Sequence, residues 1–194
     1  TSLVPSLLDT LKWNINRGSP DLHIFEIGAT FLPADGDLPC EREVITGGIT
    51  GNIREKPFWG ASPEESDFYY FKGLLTGVLQ RLHIDTYTMG SCSSVFFTED
   101  SCVRIDAAGG EHLGSFGMIR QDLAESWDIQ QPVYAFELSV VAVRKASSRR
   151  TVYRPVSKFP PVRRDMALVV DEAVPSGDIR DFILSMDAEH LKAA

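Results

Sequence analysis

Apolar residues at Leu3, Leu7, Leu8, Leu11 and Ile15, with Asp9, Lys12, Asn14 and Asn16 between them, recur at helical spacing, so residues 3–16 are expected to form an amphipathic helix. Gly18 and Pro20 end it. From residue 22 to 32 the period becomes two: Phe25, Ile27, Ala29 and Phe31 share one face and Ile24, Glu26, Gly28 and Thr30 the other, the pattern of a strand. A second strand is expected over residues 43–53, where Gly47, Gly48 and Gly51 suggest bulges or close approach by another backbone. Phe68, Phe71, Leu74, Leu75, Val78, Leu79 and Leu82 then form a wide stripe that predicts a central helix over residues 67–82. Short strand-like runs follow at 86–89, 94–97, 102–107 and 112–119, and a longer one at 133–143. Consecutive strands with short turns and few helices between them predict an antiparallel sheet and an α+β fold.

The pattern changes after residue 144. Residues 146–161 have no periodicity and contain Pro155, Pro160 and Pro161, which suits a linker between a first domain, 1–145, and a second unit, 162–194. In that unit residues 162–171 alternate as a strand, Ser176 suits a helix N-cap, and Ile179, Phe182, Ile183 and Met186 give the helix one apolar face. A strand and a helix alone cannot bury that face, so the unit is expected to be cut short or packed on the first.

Composition narrows the classes. Of 194 residues, 43% are apolar and 24% charged, which is too hydrophobic for a disordered chain, and no apolar run is long enough to span a bilayer. The chain starts at Thr1 without a signal-peptide pattern, as expected for a piece of a longer cytoplasmic protein. Its net charge of −8 conceals a segment, residues 144–165, that carries +7 and leaves −15 for the rest. Arg149, Arg150, Arg154, Lys158, Arg163 and Arg164 in that segment are candidate phosphate contacts for RNA, with Tyr153 or Phe159 available to stack on bases. A solvated linker is the competing reading of the same charges.

Catalytic patterns are weak. Cys40, Cys92 and Cys102 show no metal-ligand spacing and are expected as three reduced thiols, and the histidines at 23, 83, 112 and 190 are too far apart for a helix-borne zinc site. The glycines of residues 47–51 lack the Lys-Ser/Thr of a phosphate loop, and Ser115 is not in a nucleophile elbow. Glu64-Glu65 and Glu99-Asp100 are adjacent acids that point in different directions, as solvated surface residues do.

Several blocks together resemble one family. They are Ser6-Leu7-Leu8 through Asn14-Ile15-Asn16-Arg17, Phe25-Glu26-Ile27-Gly28 followed by Phe31, and Asp67-Phe68-Tyr69 with Lys72-Gly73. Tyr134-Ala135-Phe136-Glu137-Leu138, Ser157-Lys158-Phe159-Pro160 with Val162-Arg163-Arg164-Asp165, and the run from Val174 to Ile179 complete the set. In this order they resemble the β subunit of bacterial phenylalanyl-tRNA synthetase across nearly the whole chain.

The resemblance implies a class II synthetase-like antiparallel sheet flanked by helices, followed by the first strand and helix of a ferredoxin-like anticodon-binding domain. It further implies a catalytically silent core that supports a catalytic α subunit in an (αβ)2 assembly and helps bind tRNA(Phe), while ATP and Mg2+ serve the whole complex and not this chain. Active relatives hold a nucleotide phosphate with an arginine where Ile24 stands, and an aliphatic side chain cannot neutralise phosphate charge. Gly114, Gly117 and Arg120 superficially resemble the glycine-arginine motif that holds ATP in active cores. The resemblance also points to the first helix and adjoining strand as the subunit interface, with Leu7, Leu11, Trp13 and Arg17 as candidate contacts. A stand-alone RNA-binding module built on residues 144–164 is the alternative.

Overall fold

Pro5 lies in the first turn of helix α1, Val4–Ile15, where a missing N–H leaves no bond unmade. The computed structural model describes residues 2–34, 38–53, 64–147, 160 and 162–186. After α1 the chain forms β1, Leu22–Leu32, and β2, Cys40–Thr50, then helix α2, Phe68–Arg81. Asp67 caps α2, its carboxylate accepting the Tyr70 N–H at 2.7 Å. Next come β3, Tyr87–Ser91, a 3-10 turn at Glu99–Ser101, β4, Val103–Ala107, and β5, His112–Met118. A short helix α3, Gln121–Ser126, precedes β6, Val133–Ser139, and helix α4, Val140–Ala146.

The six strands form one antiparallel sheet in the order β1-β2-β6-β5-β4-β3. Alternation sends their side chains to two cores. On one face Phe71, Leu75 and Leu79 of α2 pack with Ile105, Leu113, Phe116, Tyr134 and Leu138, and with Ala142 and Val143 of α4. On the other, Val4, Leu7, Leu8 and Leu11 of α1 pack with Phe97, Cys102, Ile119, Ala124, Ile129, Val133 and Ala135. Leu7, Leu8 and Leu11 are each 1% exposed or less, and burying one such side chain is worth about 1.5–3 kcal/mol.

Close approach requires glycine at Gly47 and Gly114, among others. A Cβ on Gly47 would lie 2.8 Å from the Phe136 ring, and Gly114, at φ +153°, would place one 2.1 Å from the Glu137 carbonyl. The bulge between Ile105 and Asp106 in the β4–β5 ladder lies opposite Gly114.

The chain divides into two compact units, Thr1–Thr151 and Val152–Ala194. In the second, residues 162–171 form no strand, contrary to the alternation of the sequence there. Helix α5, Ser176–Ser185, follows with no buried residue. Ser176 is its first residue rather than its cap; Pro175 holds the N-cap position without a side-chain hydrogen bond.

The other departures also have local causes. The expected 133–143 strand ends at Ser139, whose hydroxyl accepts the Ala142 N–H at 3.3 Å and starts α4. Residues 94–97 form no strand and contribute one isolated bridge, Phe97 to Ile119. The three expected thiols become one, Cys40: Cys92 and Cys102 form a disulfide, because the antiparallel β3–β4 ladder brings residues ten apart in sequence face to face.

Candidate partner and nucleic-acid surfaces

β1 is an edge strand, paired with β2 on one side only among the described residues. Its two faces have different fates. Ile24 packs on the α1 core, and Leu3 lies against Gly28. The opposite row, Phe25, Ile27 and Phe31, is exposed by 70%, 60% and 50%. Phe25 sits across from Gly47 and Ile27 across from Ile45, which places the row on the α2 side of the sheet, beyond the area that α2 covers. Exposed apolar side chains such as Phe25 and Ile27 on an edge strand suit a surface that a partner covers. The alternation was legible in the sequence, but which row faces outward was not, since the more apolar one does.

The four candidate interface residues of α1 separate. Leu7 and Leu11 are core residues at 1% and 0% exposure, so neither is available to a partner; the helix spends its apolar stripe on its own sheet. Trp13, by contrast, is 56% exposed, and the Arg17 guanidinium stacks 3.7 Å from its ring centroid while donating to the Trp13 carbonyl at 3.1 Å. This outward pair joins a large aromatic to an arginine, the residue types enriched in interface anchors. Lys12–Asp128 at 2.5 Å and Trp127 Nε1 donating to Asp9 at 2.9 Å tie α1 to the end of α3.

Ile24 and Arg120, at the positions that the resemblance links to nucleotide binding, do not offer a free cationic group to a phosphate. Ile24 is apolar and packed on the α1 core. Arg120 is bound to Asp122 through two of its nitrogens, and each group's charge strengthens the other's: the guanidinium holds the Asp122 carboxyl below the ordinary range. The Arg120 amide donates to Phe96 O at 2.9 Å, which fixes this loop as a structural turn. Among the described residues no group of three or more histidines, cysteines or acids is close enough to hold a metal ion.

One carboxylate row lies near the start of α1. Glu137 accepts the Ser2 hydroxyl at 2.7 Å and the Leu3 N–H at 2.8 Å, and Glu26 accepts the Ser6 hydroxyl at 3.3 Å. Thr46 stands between them in register, its hydroxyl donating to Phe136 O at 2.8 Å. These bonds seat the helix N-terminus on the sheet, where negative charge complements the helix dipole.

Of the basic candidates, Arg163 and Arg164 are exposed in a stretch without helix or strand. Arg149, Arg150, Arg154 and Lys158 lie outside the described residues.

A six-stranded antiparallel sheet with helices on both faces is the core of class II aminoacyl-tRNA synthetases. The first unit has that fold, and a pyrrolysyl tRNA synthetase from Desulfitobacterium hafniense, PylSc, matches it with a TM-score of 0.54 at 19% identity, over 75% of this chain and 49% of that one. Residues 1–140 match the profile of the phenylalanyl tRNA synthetase beta chain CLM domain. The chain belongs to this phenylalanyl-tRNA synthetase β-chain family. Its relatives include the phenylalanine–tRNA ligase β subunit of Halalkalibacterium halodurans, 32% identical over 99% of this chain, and that of Bacillus subtilis, 31% identical over 98%. The chain spans 24% of the length of each of these two relatives.

Proposed function

We propose that this chain is the synthetase-like portion of a phenylalanine–tRNA ligase β subunit and works as a non-catalytic scaffold in the cytoplasm. It supports the catalytic α subunit of an (αβ)2 enzyme and contributes to binding tRNA(Phe). The observation that carries this reading is a synthetase fold, matched to the β family over residues 1–140, in which the phosphate-gripping position is Ile24 and Arg120 is engaged by Asp122. An aliphatic residue cannot compensate transition-state charge and the Arg120 guanidinium is paired with a carboxylate, so no step of amino-acid activation is assigned to these residues. ATP and Mg2+ belong to the complex, and the groups at those positions in this chain do not fit them.

The α subunit is assigned to the β1 edge, through Phe25 and Ile27, and to Trp13 and Arg17 on the outer side of α1. In the intact β subunit, Phe25→Ser with Ile27→Lys is expected to abolish co-elution with α on size exclusion while the melting temperature is unchanged. Co-elution at wild-type level overturns this assignment. Phenylalanine-dependent pyrophosphate exchange is expected only when α is present; exchange by β alone overturns the silent-core reading.

The tRNA contribution is assigned to the basic segment, of which Arg163 and Arg164 are solvent-facing. Phosphate contacts release counterions, so Arg163→Ala with Arg164→Ala is expected to flatten the dependence of log affinity on log salt by about 1–2. An unchanged slope removes these two arginines from the tRNA surface.

A further inference from the structure

The β3–β4 ladder pairs Ser91 with Val103, and one step beyond it Cys92 and Cys102 face each other. The Cys92 N–H donates to the Cys102 carbonyl at 3.0 Å, and the Cα atoms are 5.2 Å apart. We propose that this pair is a reversible dithiol–disulfide latch, closed and opened by exchange with small cellular disulfides and thiols, that sets how firmly the 92–102 connection is held.

Register brings the two sulfurs together, so the thiols stay opposed whether or not they are bonded. Their accessibility differs. Cys102 is 2% exposed in the α1-side core, whereas Cys92 is half-buried one residue past an edge strand of five, so the first attack is assigned to Cys92. A thiolate attacks Cys92 Sγ, the Cys92–Cys102 bond breaks, and Cys102 leaves as a thiolate that takes a proton. A second thiolate then attacks the mixed disulfide, releasing Cys92 as a thiol and the small molecule as its own disulfide. Two electrons pass from two small thiols to the protein disulfide, and the reverse sequence closes the latch. In reducing compartments protein disulfides are rare, and those that form are usually transient and redox-active.

The loop that the bond closes carries Phe97, 2% exposed, and grips the end of β5. Thr98 N donates to Met118 O at 2.9 Å, Met118 N to Ser101 Oγ at 2.9 Å, and Arg120 N to Phe96 O at 2.9 Å. With Phe97 still packed, the reduced chain stays folded, but the connection loses its covalent tie and opens locally more often.

The test uses the intact β subunit equilibrated with reduced and oxidised glutathione, trapped with N-ethylmaleimide and read by peptide mass spectrometry. Cys92 and Cys102 are expected to pass together from bonded to labelled as the ratio becomes reducing. Amide exchange in peptides covering 94–101 is expected to quicken by about tenfold or more on reduction. Cys92→Ser should show the fast exchange at every ratio, and Cys40→Ser should behave as wild type. The latch is overturned if both thiols are labelled at all ratios, if the bond survives excess reduced glutathione, or if exchange in 94–101 is the same in both states.

Discussion

The two edges of the sheet manage unpaired backbone in opposite ways. β3 has five residues, mostly exposed, and is joined to β4 by a disulfide one step past the ladder. β1 has eleven residues and presents Phe25, Ile27 and Phe31 outward along its length. A short edge with small or polar residues is safe from adventitious pairing; a long apolar one is tolerable in a cell only when something covers it. One edge is therefore kept short, while the other is long and carries exposed apolar side chains, as the proposed contact with α requires.

The contrast can be broken from its most buried part outward. Leu8→Ala, under the sheet beside β1, is expected to destabilise the first unit by about 2–5 kcal/mol in denaturant unfolding, because a fully buried leucine leaves a cavity. If the β1 edge contributes association rather than stability, Phe25→Ser changes the unfolding free energy by no more than about 0.5 kcal/mol while weakening affinity for α at least about tenfold, read by titration. A large stability loss with unchanged affinity would make the row part of this chain's own fold. Asp67→Ala, which removes the cap of α2, is expected to cost about 1 kcal/mol and to speed amide exchange in the first turn of that helix.

The smallest effect concerns the β3 side. The Arg104 guanidinium, hydrogen-bonded to Asp106 at 2.8 and 2.7 Å, holds that carboxyl below the ordinary range, with His112 adding a bond at 3.0 Å. A carboxyl lowered on folding contributes stability that is fully present above its unfolded pKa and is lost as pH falls through its folded one. Stability is thus expected to decline slightly below about pH 4, and Asp106→Asn to remove that part of the slope in urea titrations across the acid range.

Much of this architecture is legible in the periodicity. The Leu3 to Ile15 stripe, the alternation over residues 22–32 and the stripe of residues 67–82 each become the element they predict, since each is long enough for one period to dominate. Short Val-rich runs are where reading fails: residues 133–143 look extended throughout, and only the Ser139 hydroxyl and burial of Ala142 and Val143 divide them. Residues 162–170 alternate but have no described partner strand, and a strand is a property of the pair. Sequence spacing does not show the Cys92–Cys102 pairing, which the β3–β4 register decides. At the candidate surface Leu7 and Leu11 are buried while Trp13, Arg17, Phe25 and Ile27 are exposed, and alternation identifies faces without saying which one turns inward.

The division at Ser139 also bears on the order of events as the chain folds. α4 begins Val-Val-Ala-Val, poor material for a helix, and holds its shape by resting Ala142 and Val143 on a core assembled from α2, β4, β5 and β6. β6 itself must first find β2, some ninety residues earlier, a contact that waits on the closure of a long loop. α4 is therefore a late arrival whose helicity reports that the sheet beneath it is complete.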